Sequence, residues 1–214
     1  MKRTKKDKGI AGLMLFVGWL VFILLALIFY FYFSDNFINF FSKKSDSSNV
    51  GRKIYEVNKY PEVNDLIEKY LTAISECDEK TLKSLVSNPA EFDDMTNYEK
   101  RATVITGYEN IVCYTIPGYN EGDLLVYVIA NLTFSDITEI TCKPLDISYV
   151  YLKKNYDDYI IQNIISDENI NEYIESKYQN SDIQNLYKSV KENIDSCVET
   201  DSAFAEFYNK IYGN

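Results

Sequence analysis

Residues 10–33 read IAGLMLFVGWLVFILLALIFYFYF, twenty-four in a row without a charge, Asn, Gln or Pro. At about 1.5 Å per residue, a helix of this length crosses a hydrocarbon core of roughly 30 Å with some tilt, and only a helix keeps its backbone groups paired there. The run therefore predicts one N-terminal transmembrane helix over residues 10–33. Residues 1–8 hold five basic side chains and one acid. By the bias of positive charge toward the cytoplasmic face, the basic tail, residues 1–9, stays inside and the C-terminal bulk faces outward. A signal-peptide core is about 7–15 residues long and ends at small residues. This run is longer and leaves through Phe29-Tyr30-Phe31-Tyr32-Phe33, so an uncleaved signal anchor is expected. Tyr30 and Tyr32 fall at headgroup depth, and Trp19, without a Gly-xxx-Gly pair beside it, is read as facing lipid.

The two sides of the span are electrically opposite. The chain carries −10 overall, and with +4 in residues 1–8 the remainder carries −14. A domain that acidic repels phosphate backbones, so nucleic acid is excluded as its partner. The expected contact with lipid is through the span alone. Residues 34–53 form a juxtamembrane segment and linker: the aromatic Asp35-Asn36-Phe37-Ile38-Asn39-Phe40-Phe41 gives way to the Ser- and Lys-rich stretch from Ser42 to Arg52, polar and without apolar period. Residues 54–165 then form the extracytoplasmic domain, and residues 166–214 a C-terminal helical extension.

Within the domain, Pro61 opens a helix where its missing N–H costs nothing, and Val63, Leu66, Ile67, Tyr70, Leu71 and Ile74 follow at helical spacing. Asp78 is placed to cap a second short helix carrying Leu82, Leu85 and Val86, which Asn88-Pro89 ends. Glu91, Asp93, Asp94 and Glu99 lack the glycine and ligand periodicity of a calcium loop, and read as a solvated loop and a short third helix. From Tyr108 the period becomes strand-like. Ile111 to Ile116 is one strand, Leu124 to Ser135 a longer and bent one with one face buried and the other emerging into water, and 147–152 and 159–164 two more, joined by a turn at Asn155-Tyr156-Asp157-Asp158. The fold class is α+β, with helices packed on a bent antiparallel sheet of about four strands. Three helices follow, around Ile170 to Ile174, Ile183 to Cys197 and Phe204 to Ile211, the last capped by Asp201; each has one apolar stripe that packs on the domain or on a neighbouring helix.

This order, a long amphipathic helix, two shorter ones and a bent antiparallel sheet over residues 61–164, resembles the nuclear-transport-factor-2-like family and implies its cone-like fold. With the anchor, the chain also resembles small membrane-anchored extracytoplasmic proteins of Gram-positive bacteria with no assigned activity, in which strings like Gly107-Tyr108-Glu109-Asn110-Ile111-Val112-Cys113-Tyr114-Thr115 recur. It is further similar to single-span conjugation and type IV secretion scaffolds with an outer cone domain, a likeness that implies assembly into an export channel.

The chain has no histidine, which removes Ser-His-Asp and Cys-His nucleophile activation and most catalytic zinc sites. A G-x-S-x-G elbow, a P-loop and a C-x-x-C motif are also lacking. Carboxylate and tyrosine remain. Cone-fold isomerases and dehydratases use Asp and Tyr in the mouth of the cone, which the resemblance would carry to Tyr108, Tyr114, Tyr127 and Tyr149 on the expected sheet. Cys77, Cys113, Cys142 and Cys197 allow three disulfide connectivities, and buried free thiols are an equal reading. Asn131-Leu132-Thr133 fits a glycosylation pattern but lies inside a strand. The reading is a non-enzymatic envelope protein, without cofactor or metal, that binds a partner protein or an apolar ligand. The alternatives are a secretion scaffold and an Asp/Tyr cone-fold enzyme.

Overall fold

The computed structural model describes residues 53–212. The tail, span and linker expected over residues 1–53 lie outside them apart from Lys53, and among the described residues no helix is long and apolar enough to cross a membrane. Six helices and a five-stranded sheet fill the described part.

Strand β1, Glu56–Val57, is two residues long. Asn58 ends it at a φ of 48° and is fastened to the next strand: its N–H donates to the Cys113 carbonyl at 2.9 Å, and its side-chain oxygen accepts from the Cys113 N–H at 2.8 Å. Helix α1, Pro61–Ser75, follows with Pro at its start, and buries Val63, Ile67, Leu71 and Ala73. Its end is closed by Cys77 at a φ of 53°, which lets the Asp78 N–H return to the Ala73 carbonyl at 2.9 Å. That is a Schellman closure with cysteine where glycine is usual. The Asp78 carboxylate then caps α2, Glu79–Leu85, accepting from the Thr81 N–H at 3.0 Å and the Thr81 hydroxyl at 2.6 Å. A 3₁₀ turn at Pro89–Phe92 leads to α3, Thr96–Ala102.

The sheet is an antiparallel meander in the order β1-β2-β3-β4-β5. Strands β2, Ile105–Pro117, and β3, Leu124–Phe134, are long, and their register shifts between Ile105 and Gly107 and between Glu109 and Val112. At the second shift Asn110 has a φ of 51°. Such bulges bend a strand and tighten its twist; the extra residues fall on β2, whereas the bend is expected of Leu124 to Ser135. Strand β4, Leu145–Asn155, pairs along β3 and turns through Tyr156 and Asp157 into β5, Asp158–Ile161. The outer edge of β5 is met by Val86 in a parallel bridge, with the Ser87 N–H on the Ile161 carbonyl at 2.8 Å. Asn163 holds that segment from both sides, accepting from the Asn88 N–H and donating to the Asn88 carbonyl. Five strands replace the four expected, because β1 is too short to carry an alternating pattern.

Two cores lie on opposite faces of the sheet. Leu124, Val126 and Val128 pack with Val63, Ile67 and Leu71 of α1 and with Leu82 and Phe92. Leu125, Tyr127 and Ile129 pack on the other face with Ile170 and Ile174 of α4, Glu168–Tyr178, and Ile183, Leu186 and Val190 of α5, Ser181–Thr200. The expectation that this second face of β3 emerges into water is therefore corrected. Its residues Leu125, Tyr127 and Ile129 are buried, and it opens only toward Asn131.

Tyr156 occupies its turn at a φ of 54° with 94% of its surface exposed, so the side chain offers little packing to offset the left-handed backbone. Tyr156→Asn relieves that strain and is expected to add about 0.5–1 kcal/mol of stability in a denaturant titration. An unchanged or lower midpoint would contradict this account of the turn.

Candidate functional site

The last helix, α6, Ser202–Tyr212, is set by Asp201. One carboxylate oxygen accepts from the Phe204 N–H at 2.9 Å; the other accepts from the Thr141 N–H, the Thr141 hydroxyl and the Cys142 N–H at 2.7, 3.0 and 2.9 Å. These bonds hold the Asp201 carboxyl well below the usual carboxylate range. They also fix α6 over the end of the sheet, where the Phe134 ring meets Phe204 and Phe207 with centroids 6.1 and 5.5 Å apart.

Between α6 and that end of the sheet lies a cavity of about 490 Å³. Val104, Ile105, Leu132 and Leu145 line it on one side, and Phe207, Tyr208 and Ile211 on the other. Its charged wall residues are Arg101 and Asp146. The Arg101 guanidinium donates to the Tyr108 hydroxyl at 2.6 Å and lies 5.4 Å from the ring centre. Burial pushes the Tyr108 phenol up, against the pull of that guanidinium. A second cavity, of about 480 Å³, has Tyr70, Glu91, Tyr108, Asp146 and Ser148 among its walls. Asp146 thus faces both cavities, with the Arg101–Tyr108 pair beside it. Burial also pushes Tyr70 up, to about 12. Both phenols stay protonated at neutral pH, and the Tyr108 oxygen serves as an acceptor for Arg101.

Of the four tyrosines expected at a cone mouth, Tyr108 lies at this site and Tyr149 borders the second cavity. Tyr114 packs edge-on against Tyr55 with centroids 5.0 Å apart. Tyr127 lies on the opposite face, beside α4 and α5, and Tyr149 borders that side as well. Arg101 was missed because its helix reads as solvated; the signal was a cation seven residues before Tyr108. A buried acid beside a tyrosine does occur, but as a fastening. Asp123 accepts from the Tyr151 hydroxyl at 3.0 Å, the Lys154 N–H at 2.9 Å and the Asn120 side-chain amide at 3.0 Å, and the Tyr151 oxygen accepts from the Tyr119 N–H. With every partner structural, this pair pins the β2–β3 turn to β4.

Among the described residues no group of three or more His, Cys, Asp or Glu is placed to hold a metal ion. Asp93 pairs with Lys83, and Asp94 accepts from the Thr96 N–H at 3.0 Å. Asn131 donates to the Lys143 carbonyl at 2.8 Å and accepts from Asn110. All four cysteines are free thiols. Burial, together with the neighbouring Cys197, pushes the Cys142 thiol up to about 12. Cys113 is buried and pushed up to about 11. No family model, curated protein or solved structure matches this chain.

Proposed function

We propose that this is a single-pass, membrane-anchored extracytoplasmic binding protein whose cone-like domain takes up an apolar ligand in the cavity beneath α6. The cone reading rests on element order: long α1, two short helices, then a bent antiparallel meander. The anchor reading rests on residues 10–33 and the basic tail before them. The observation that carries the function is the cavity of about 490 Å³ with α6 as one wall, within the range of small-molecule sites. Ile211 and Tyr212 at the end of α6 are 49% and 69% exposed, so an apolar occupant would cover surface the protein alone leaves wet. Arg101, hydrogen-bonded to a neutral phenol, can also receive a polar or acidic head group.

The test uses the full chain in lipid nanodiscs and a fatty acid carrying a photoactivatable diazirine. Labelling is expected to concentrate on α6 and the end of β3, and Leu132→Trp, which fills the cavity, should reduce it about tenfold. Labelling spread evenly along the chain, or unaffected by that substitution, counts against the proposal. Protease added to intact cells separately tests orientation: it should remove the region beyond residue 33, and full protection would overturn the outward placement.

A further inference from the structure

On the face of the sheet away from α1, four tyrosines converge. Tyr127 and Tyr149 are directly opposed across β3 and β4, with ring centres 6.3 Å apart. Tyr187 of α5 stands edge-on to Tyr127 at 6.3 Å and 84°, and Tyr178 of α4 edge-on to Tyr187 at 5.1 Å and 80°. The rings wall a cavity of about 390 Å³, and Glu175, one turn before Tyr178, is on its rim. The Glu175 carboxylate accepts from the Gln179 amide through one oxygen at 2.6 Å. At the floor, the Tyr127 side chain is wholly buried, and its hydroxyl has no hydrogen-bond partner.

An orphaned buried hydroxyl costs about 1–3 kcal/mol, so its place at the bottom of a cavity needs an account. Ring faces carry negative potential, and rings set near right angles turn several faces toward one volume. A carboxylate at the rim adds a full charge of the same sign. No cationic side chain lines the cavity, while Lys177, on the same helix, lies over Tyr173 instead, 4.6 Å from its ring centre. The outer part of the chain, at −14, raises the local concentration of small cations.

We propose that Tyr127, Tyr149, Tyr178 and Tyr187 form an aromatic cage for an organic ammonium ion, with Glu175 as its counter-charge and the Tyr127 oxygen as an acceptor at its base. A trimethylammonium head enters at low desolvation cost and presents polarised methyl groups to the rings. A primary ammonium is better hydrated, and it reaches the Tyr127 oxygen, which the rings now cover completely, only where those rings shift aside. The site is separate from the α6 cavity and independent of what that cavity holds.

The experiment is saturation-transfer NMR on the full chain in dodecyl maltoside, with choline and butylammonium as probes and neutral 3,3-dimethylbutan-1-ol as the isostere of choline. At least one ammonium should bind saturably with a Kd below about 1 mM, and the alcohol at least about tenfold more weakly than choline. The tighter ammonium identifies the head group the cage prefers. Tyr149 is half exposed and Glu175 exposed, so variants there leave the fold intact, as an unchanged Tm will register. Tyr149→Phe should bind within about twofold of the parent, Tyr149→Ala about tenfold more weakly and Glu175→Gln several-fold more weakly. The proposal fails if neither ammonium binds saturably by about 10 mM, if the alcohol matches choline, or if Tyr149→Ala binds like the parent.

Discussion

Asp201→Ala is expected to lower the melting temperature by roughly 5–10 °C, the largest effect of any single polar substitution in the domain. The carboxylate accepts four hydrogen bonds, from Phe204, Cys142 and twice from Thr141. Truncation leaves the first turn of α6 uncapped and frees the 141–142 segment, and both are needed to seat the Phe204 and Phe207 rings on Phe134. The pH dependence separates charge from shape. In the folded protein the Asp201 pKa is depressed, whereas in the unfolded chain it lies near its ordinary value of about 3.9. The contribution is therefore present in full above that ordinary value and is lost as pH falls toward the lower folded one. Compared with Asp201→Asn, the wild type should hold a constant advantage in Tm from about pH 5 to 8, and the gap should narrow below about pH 4. A gap that stays constant down to about pH 2.5 would mean that the charged form is not what the site prefers.

Leu125→Ala should cost about 3 kcal/mol in a urea titration with the slope unchanged. Leu125 has no exposed surface and belongs to the core that Ile183, Leu186 and Val190 complete. A side chain on a water-facing strand surface costs under about 1 kcal/mol when shortened. The measurement therefore decides whether α4 and α5 are structural members of the domain or an appendage on it. A loss under about 1 kcal/mol would remove the second core from this description.

Helix α1 and the caps at Asp78 and Asp201 were legible because each depends on local chemistry: apolar spacing in one case, a short acidic side chain before a helix in the others. The second face of β3 was not. Asn131 and Thr133 end that face in polar groups, and the pattern in isolation says water, whereas α4 and α5 arrive from forty and more residues later to cover Leu125, Tyr127 and Ile129. The first half of β2 was missed for a related reason. Gly107, Glu109 and Asn110 are poor strand formers, and bulges plus pairing with β3 carry the strand through them. Tyr108 was singled out as a sheet tyrosine and borders the second cavity; Arg101 was not singled out, since its meaning comes from the phenol it meets. For the cage, Tyr127 and Tyr149 were noted on the sheet; Tyr178 and Glu175, three apart on one helix face, were the unread part of the signal.

The sheet margins, finally, bear on crowding. Strand β1 stops after two residues at Asn58, the edge of β2 beyond it is interrupted by bulges, and Val86, Ser87 and Asn163 lie along β5. Under the proposed anchoring, copies would meet in two dimensions, where local concentration is high and a bare strand margin would template cross-β pairing between neighbours. The margin left without a neighbouring strand is the part of β4 before Leu152, which β5 does not pair; elsewhere association of this domain runs through side chains and helix faces, and such contacts can be reversed without unzipping a backbone ladder.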